Sequence, residues 1–430
     1  MKTEQHQVTR YHPFFSECER RCFLSKNLYN KILFDLRQIY FHNYKVFKEG
    51  KGEQKSYPSY PNYHKLNKHC PDAIAIGHSH LVQGVIRKAF DNWKAFWASL
   101  KSYSKNPDGF KGRPKPPRYK DPQNGRFITI YRSSAVSQKV DPLCVKLAAT
   151  DILVPFINRK NCKKLCEVRI VPKLGHYIIE IVYEEHPTGT LPSKKRIAAI
   201  DPGLNNLMTV VVSNYKFRPI IVNGRPVKAI NAFYNKKIAK AKSRLPPGVL
   251  SSRLIRNLWR RRENKIKNYL HLVTTRLVNR LYELGVSHVI MGYNKDQKQN
   301  INLGNKTNQN FVMLPRLTVN SMLRYKLMER GISYQETEEA YTSKASALDN
   351  DSLFTITGPK RKGYSFSGRR LSRGLYRSSD KTLINADVNG AVNIMRKVIQ
   401  NVPTDWIRGL VVTPVRLQLE PKAISLRENG

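Results

Sequence analysis

Residues 196–213, RIAAIDPGLNNLMTVVVS, contain two short apolar runs separated by a polar turn. Both runs have the composition of buried β-strands, and the Pro-Gly and Asn-Asn pairs between them favour a turn. Asp201 directly follows the first run. An aspartate before Pro-Gly commonly bonds its own backbone; alternatively, it presents a carboxylate at the end of a buried strand. The residues that accompany Asp201 elsewhere in the chain distinguish these two interpretations.

The charge of the chain indicates a polyanionic partner. Of 430 residues, 76 are Lys or Arg and 31 are Asp or Glu, which leaves a net charge of +45. So large an excess favours nucleic acid as the counterion. The chain contains no apolar run of about 20 residues, so no membrane contact is predicted. Its six cysteines are predicted to be ordinary reduced thiols rather than a disulfide framework or a zinc site.

The first 190 residues change from a helical to a β pattern. Apolar residues at helical spacing predict one helix capped at Ser25 and another at about 72–105, with their aromatic residues packed between them. The segment NPDGFKGRPKPPRYKDPQNGR follows, and it fits either a phosphate-contacting linker or a plain solvated connection. Five short β segments between 127 and 185 then predict a small antiparallel barrel. On the first helix, the predicted apolar stripe consists of Leu28, Ile32, Leu36, Ile39 and Tyr40.

The second half has the element order of an RNase H-like fold. Three strands in a meander are followed by helix, strand, helix, strand and helix. In such folds, acids from distant elements hold two Mg²⁺ ions that hydrolyse phosphodiesters. Asp201 ends the first strand, and Asp387 opens the last helix, where it could also act as a simple cap. The long helix predicted at 251–284 has a basic first half, and its apolar side is predicted to begin at Leu254 and Leu258.

A third acid is expected at the end of the fourth strand, but Gly292 stands there. The fifth strand ends at the same edge of the predicted sheet with Glu336, Glu338 and Glu339. Adjacent residues of a strand point to opposite faces, so Glu338 and Glu339 cannot both face one metal site. The residues alone leave the identity of the third acid open.

Several segments in combination resemble the TnpB family of transposon-encoded RNA-guided nucleases, which is related to type V CRISPR effectors. They are RIAAIDPGLNNLMTVV, VSHVIMGYNK, EEAYTSKAS and INADVNGAVNIMRK, with SKNLYN near the start. The resemblance implies a Mg-dependent DNA endonuclease that takes a guide RNA and cuts matching double-stranded DNA beside a short flanking motif. It also implies a cytoplasmic, nucleoid-associated protein of prokaryotic type.

The resemblance also implies a domain layout. The expected fold is multidomain α+β, with a helical recognition lobe, an antiparallel β-barrel wedge domain and an RNase H-like (RuvC) α/β nuclease domain. The implied ranges are 1–10 for the start of the wedge, 11–120 for the recognition domain, 121–190 for the wedge barrel, 191–342 and 381–400 for the two parts of the nuclease domain, 343–380 for a basic insert and 401–430 for a C-terminal tail.

The resemblance assigns the site residues by motif position. Asp201 and Asp387 match the first and last RuvC acids, and Glu339 matches a relocated glutamate found in one branch of the family. These three residues are the expected catalytic residues and ligands of two Mg²⁺ ions. The expected nucleic-acid contacts are basic residues of the long helix and of the insert: Arg256, Arg260, Arg261, Lys265, Arg369 and Arg370.

The insert departs from the family pattern. The family commonly has a four-cysteine zinc ribbon here, yet residues 345–386 contain no cysteine, so no structural zinc is expected. The insert is basic, with Tyr364, Phe366 and Tyr376 interleaved, which is typical of a nucleic-acid loop.

Two alternatives to an RNA-guided endonuclease remain. One is a guide-dependent DNA-binding regulator that does not cut, which Gly292 favours. The other is a guide-free structure-specific nuclease.

Overall fold

The computed structural model describes two compact units, Met1–His186 and Pro187–Gly430. The described residues are 1–48, 70–185, 195–213, 217–293, 315–355, 364–372, 374–399, 402, 414–417 and 419. No helix within these ranges combines the length and the apolar character needed to cross a membrane.

The first unit contains the helices α1 (Phe15–Lys48), α2 (Pro71–Ile76) and α3 (Ser79–Lys105). Two details of the sequence prediction are wrong. Ser25 is not a cap: it lies inside α1, where its buried hydroxyl bonds to the hydroxyl of Thr129 at 2.9 Å. The helix predicted at 72–105 is two helices, because Gly77 ends α2 with a φ of 70°.

The aromatic residues of α3 pack against α1. The ring of Tyr40 lies 5.4 Å from that of Trp93 and 5.6 Å from that of Trp97, between centroids. Trp93 is almost completely buried. These rings therefore form core contacts between helices, as predicted, whereas Ile39 departs from the predicted stripe and is 41% exposed.

The β segments of the first unit form two open sheets rather than the predicted closed barrel. One four-stranded sheet has the order β1-β7-β6-β2 and one three-stranded sheet has the order β3-β4-β5. The long hairpin of β6 and β7 takes one further strand on each edge, whereas among the described residues the short strands β3 to β5 pair only with each other. The strands are β1 (Lys2–Val8), β2 (Thr129–Arg132), β3 (Val136–Ser137), β4 (Cys144–Leu147), β5 (Leu153–Pro155), β6 (Cys162–Lys173) and β7 (His176–Glu185).

The second unit is built on a six-stranded sheet with the order β12-β11-β8-β9-β10-β16. β8, β9 and β10 form an antiparallel meander, while β11 lies parallel to β8 and β12 parallel to β11. Because parallel strands end at the same edge, β8, β11 and β12 all end together. The strands are β8 (Arg196–Pro202), β9 (Asn206–Val212), β10 (Ile220–Asn223), β11 (Val286–Tyr293), β12 (Ser333–Glu338) and β16 (Val415–Arg416).

Helices cover both faces of this sheet. Ala198 and Ile200 of β8 face a core that includes residues of α5 (Arg253–Glu283) and α6 (Arg316–Glu329). Ala199, between them, faces the core formed with α7 (Ala386–Arg396). This alternation within one strand explains why the run AAI is apolar at every position.

Three features of the second unit are not predicted from the sequence. These are the helix α4 (Arg225–Lys242), the small sheet of β13 (Arg369–Ser372), β14 (Leu375–Arg377) and β15 (Leu383–Asn385), and the edge strand β16.

The start of α5 also differs from the sequence prediction. Ser252 caps the helix, and Ile255 packs with residues of α4 while Leu254 is 60% exposed, so Leu254 is not on the buried side.

The buried ammonium of Lys326 makes the stability of the second unit depend on pH. Its Nζ donates to the carbonyl of His271 and to the hydroxyls of Thr274 and Thr275, at 2.7–2.8 Å. Burial lowers the pKa of Lys326 to about 8. In the unfolded chain this proton is held to about pH 10.4, so the unfolded state binds more protons above pH 8 and stability rises with pH there.

We therefore expect the free energy of unfolding to increase by about 2 kcal/mol between pH 7.5 and 9.5 because of this residue. The variant Lys326→Met removes the titrating group and should lose that increase. Urea unfolding of wild type and variant at both pH values measures the difference. Parallel pH dependences of the two proteins would contradict the assignment.

Candidate functional site

Asp201 lies at the end of β8, under the N-terminal half of α7. A Cβ atom built at Gly390 of α7 would lie 2.7 Å from Oδ2 of Asp201. Only a residue without a side chain allows the helix backbone to approach the carboxylate this closely. Asp201 is therefore enclosed between the strand end and the helix.

Asp387 lies in the first turn of α7, but it is not the cap of that helix. The side chain of Asn385 accepts the backbone N–H groups of Asp387 and Val388 and so caps the helix. The Asp387 carboxylate instead accepts a hydrogen bond from Nδ2 of Asn206 at 2.7 Å. It also lies 3.5 Å from Nη2 of Arg370. The Asp387 side chain is 31% exposed, so it remains open to a ligand.

Glu339 fills the space that a side chain at Gly292 would occupy. A Cβ atom built at residue 292 would lie 2.9 Å from both Cγ and Oε1 of Glu339, and 2.6 Å from Cδ1 of Ile394. The residue follows β12 directly, and β12 lies beside β11, which carries Gly292. The glutamate thus reaches the end of the fourth strand from the neighbouring strand. Its Oε1 is buried and has no hydrogen-bond partner among the described residues.

Glu338 points away from this position. Its Oε1 accepts a hydrogen bond from Nζ of Lys397 at 3.0 Å, and Lys397 also donates to the carbonyl of Phe354 at 3.1 Å. The Lys397 side chain is 6% exposed and that of Glu338 is 34% exposed, so the lysine end of this ion pair is enclosed. The opposite directions of adjacent residues at the end of β12 therefore favour Glu339, rather than Glu338, as the third acid.

Two buried asparagines of α7 hold the segment that follows Glu339. Asn389 accepts the N–H of Ala347 and donates to the carbonyl of Ala345. Asn393 donates to the carbonyls of Thr342 and Ala345. Both asparagines are completely buried. The chain leaving Glu339 is thus tied to the helix that carries Asp387.

The three carboxylates are electrostatically coupled. Burial raises the pKa of Asp201 well above its ordinary value, and the charges of Glu339 and Asp387 raise it further, while Arg316 and Arg370 oppose this effect. Burial also raises the pKa of Glu339, opposed by Arg316 and Lys397. A site of this kind favours a bound cation, because a cation stabilises all three ionised forms together.

The donor set fits a hard divalent ion. Carboxylate oxygens are the ligands that Mg²⁺ prefers, and the buried Oε1 of Glu339 lacks a partner among the described residues. As the side chains are placed, no three His, Cys, Asp or Glu residues within the described ranges are grouped as ligands of one metal ion. The residues that would hold Mg²⁺ are Asp201, Glu339 and Asp387.

Of the six residues predicted to contact nucleic acid, Arg370 lies beside Asp387. The other five are exposed or half-buried and make no hydrogen bond with the acids among the described residues. Arg370 projects from β13 to Asp387, as described above. Arg256, Arg261 and Lys265 are exposed on α5, Arg369 is exposed on β13, and Arg260 is half-buried on α5. Arg262, in the same basic run, instead bonds Asn231 and lies over the ring of Trp259.

The sequence prediction missed three residues near the acids. Asn206 bonds Asp387, Lys397 bonds Glu338, and the charge of Arg316, at the start of α6, acts on Asp201 and Glu339. The NN pair in the first turn was a possible clue for Asn206. Lys397 is 59 residues from its partner Glu338, so only the fold brings these two together, and the same holds for Arg316 and Asp201.

The aromatic residues of the insert pack together instead of interleaving along a loop. The rings of Tyr364 and Phe366 contact each other and the ring of Phe354, with centroids 4.9–6.4 Å apart. The prediction of a nucleic-acid contact is wrong for Tyr376, which is 1% exposed and donates its hydroxyl to the carbonyl of Lys344. Ring packing is thus one of the interactions that hold this cysteine-free segment.

The chain is similar to known proteins in two regions matched by family models and along most of its length in one curated relative. A family model described as a probable transposase, OrfB_IS605, matches residues 180–298, and a model of the Cas12f1-like TNB domain matches residues 318–394. The TnpB-like protein ORF457 of Acidianus two-tailed virus is 24% identical over 437 residues, covering 92% of this chain and 84% of that protein. Both family models and this relative support a relationship to the TnpB-related type V effectors. This relationship suggests a nuclease role.

Three solved structures show a weaker likeness. A Cas12f1–sgRNA–target DNA complex has a TM-score of 0.49 at 15% identity, covering 89% of this chain and 83% of that chain. A CRISPR-Cas12f ternary complex has a TM-score of 0.35 at 16% identity, with coverages of 88% and 81%. C2c1 of Alicyclobacillus acidoterrestris with single-guide RNA has a TM-score of 0.40 at 9% identity, with coverages of 90% and 70%. All three scores lie below 0.5, so these likenesses add nothing to the assignment of the fold.

The contact between residue 292 and Glu339 yields a stability prediction. We expect Gly292→Ala to lower the free energy of unfolding by about 1–2 kcal/mol, because the new methyl group overlaps Glu339 and Ile394. Gly374→Ala is the matched control, since a Cβ there meets nothing within 4 Å. In the double variant Gly292→Ala/Glu339→Ala, part of the loss should be recovered, giving a coupling of about 1 kcal/mol. Strictly additive effects in urea unfolding would contradict the packing described here.

Proposed function

We propose that the protein is an RNA-guided DNA endonuclease of a transposable element, which hydrolyses DNA that matches its guide RNA next to a short flanking motif. The observation that supports this most is the coupling of three acids, Asp201, Glu339 and Asp387, from three separate elements of the second unit. In this proposal, the second unit is a RuvC-type nuclease domain with its strands in RNase H-like order. The first unit supplies the recognition and wedge regions.

The chemistry assigned to these residues is two-metal hydrolysis. When bound, two Mg²⁺ ions would activate the attacking water and stabilise the leaving oxygen. Asp201, Glu339 and Asp387 would hold the ions through carboxylate oxygens. Asn206 fixes the orientation of Asp387, and the Glu338–Lys397 pair keeps Glu338 out of the site. Arg370, partly exposed beside Asp387, offers a guanidinium for a phosphate oxygen.

The basic surface supports the nucleic-acid partners in the proposal. The exposed arginines and lysine of α5 form a nearly pure positive face, and the chain as a whole carries +45. Contacts of this kind bind phosphates without reading sequence. Sequence specificity is therefore assigned to pairing of the guide RNA with its target.

The position of Glu339 weighs against the alternative of a non-cutting regulator. That alternative depends on Gly292 marking a lost acid, yet Glu339 occupies the space beside Gly292. A guide-free nuclease would need the same acids but would leave the first unit without a role. Both alternatives are separated from the proposal by the experiments below.

Cleavage should depend on Glu339 and not on Glu338. We expect Glu339→Gln to reduce the cleavage rate by more than about 100-fold, since even residues behind metal ligands commonly contribute 10–100-fold. Glu338→Gln is the matched control, because a glutamine still accepts the hydrogen bond from Lys397. Asp201→Asn and Asp387→Asn should behave like Glu339→Gln, and all should keep their affinity for target DNA. Equal losses in the two glutamate variants would contradict the assignment.

Cleavage should also require the RNA that purifies with the protein. The RNA that purifies with the protein is sequenced, and a library of DNA duplexes that match it is prepared. Cleavage of this library in Mg²⁺ is then measured with the protein as purified and with protein treated beforehand with RNase. Cleavage only with RNA supports the proposal. RNA-dependent binding with no cleavage by wild type would support the regulator instead, and cleavage by the RNA-free protein would support the guide-free nuclease.

A further inference from the structure

Residues 111–122, KGRPKPPRYKDP, form a proline-rich basic segment that lies along α1 outside any helix or strand. Four prolines restrict its backbone, and each also biases the preceding residue towards an extended conformation. The sequence allows either a phosphate-binding linker or a plain solvated connection here. The contacts of the segment with α1 distinguish the two.

Side chains of α1 hold the backbone of the segment at three levels. Asn30 makes a two-way bond with Lys120, donating from Nδ2 to its carbonyl at 2.8 Å and accepting its N–H at Oδ1 at 2.9 Å. Arg37 donates to the carbonyl of Pro117 at 2.8 Å, and Lys26 donates to the carbonyl of Pro122. The guanidinium of Arg37 also lies 5.2 Å from the centroid of the Tyr119 ring.

The spacing of these contacts matches an extended segment. Residues 26, 30 and 37 lie one and two turns apart on one stripe of α1. Lys26 and Arg37 are eleven residues apart, about 17 Å along a helix. Their partners, Pro122 and Pro117, are five residues apart, which is also about 17 Å when the chain is fully extended. The segment thus runs antiparallel to α1 and is stretched along it.

The backbone contacts leave the charged side chains of the segment outside. Lys111, Arg113, Lys115 and Arg118 are all exposed. No ion pair involves these four residues within the part of the chain that the structure describes. The one acid of the segment, Asp121, uses its carboxylate to accept the N–H groups of Gln123 and Asn124. The outer side of the segment is therefore a row of cations on a fixed backbone.

We propose that this segment is a preformed binding site for the phosphodiester backbone of a nucleic-acid strand. A solvated connection needs no such fixation, whereas a row of cations that is already ordered loses less conformational entropy on binding. Four phosphate contacts would also release condensed counterions and make binding strongly salt-dependent. The inference rests on the proposed function for the presence of nucleic acid, and it adds a site on the first unit, whereas the acids and α5 belong to the second.

The first test removes the charges. The variant with Lys111, Arg113, Lys115 and Arg118 all changed to Gln is compared with a control in which four scattered exposed lysines of the same unit, Lys88, Lys101, Lys139 and Lys160, are changed to Gln. Binding of single-stranded RNA, duplex DNA and RNA–DNA hybrid of one sequence is measured without divalent ions across a salt series. We expect the slope of log affinity against log salt to fall by about three in the segment variant, at about 0.7–0.9 per lost phosphate contact, and to change little in the control.

The substrate that shows this loss identifies the strand: single-stranded RNA points to the guide and duplex DNA to the target. Equal slopes for the segment variant and the scattered control would overturn the proposal, because net charge alone would then explain binding. If wild type binds no nucleic acid, the proposed function fails as well. If wild type binds and cuts with its RNA but the segment variant is unchanged, this inference alone fails.

The second test keeps every charge and releases the backbone. Asn30→Leu removes both hydrogen bonds to Lys120, and Asn92→Leu, which removes the bond from Asn92 to the Tyr29 hydroxyl, is the matched control. We expect about 3–10-fold weaker binding for Asn30→Leu, from the added cost of ordering the segment, with the salt slope retained. Wild-type affinity in a folded Asn30→Leu variant would overturn the claim that the site is preformed. If that variant does not fold, the charge variants still decide whether the segment binds.

Discussion

The burial of Asp201 beside two other acids is the electrostatic constraint on which the second unit depends. Like charges in a poorly solvated site repel each other, and here the repulsion and the burial together raise the pKa of Asp201. The chain offsets part of this cost with Arg316 and Arg370. Both are side chains from outside the strand that carries Asp201, one on α6 and one on β13. In the proposed function, a bound cation would offset the rest of this cost, because it would stabilise the ionised carboxylates.

Two residues without side chains make the arrangement possible. Gly390 lets α7 approach the carboxylate of Asp201, and Gly292 leaves the space that Glu339 fills. Glu339 therefore lies beside the end of the fourth strand, and under the proposed function it takes the place of the acid that this strand lacks. This placement works because β11 and β12 are parallel, with Gly292 beside Thr337 and Tyr293 beside Glu338, so that the residue after Glu338 can turn across the end of β11.

Local patterns predicted the elements that carry the acids, and non-local contacts explain what they missed. The strand ending in Asp201 and the helix opening at Asp387 follow from alternation and helical spacing. Ser25 shows the limit of such rules: its hydroxyl suits a cap, but its partner is Thr129, 104 residues away. The predicted barrel failed for a similar reason, since strand composition does not specify which edges pair. The residues alone left Glu338 and Glu339 open and the resemblance favoured Glu339; the bond of Lys397 to Glu338, which only the fold defines, supports that choice.

The motif INADVNGAVNIMRK shows how several functions share one short helix. Residues 385, 389 and 393 lie four apart, on one stripe of α7, and all are asparagines: the first caps the helix and the other two bind the backbone after Glu339. Asp387 and Gly390 lie off that stripe, towards Asn206 and Asp201. Asn389 and Asn393 can be buried because their amides bond backbone groups of residues 342–347 that lie outside a helix or strand. The same helix therefore presents one acid, makes room for the second, and fixes the chain that delivers the third.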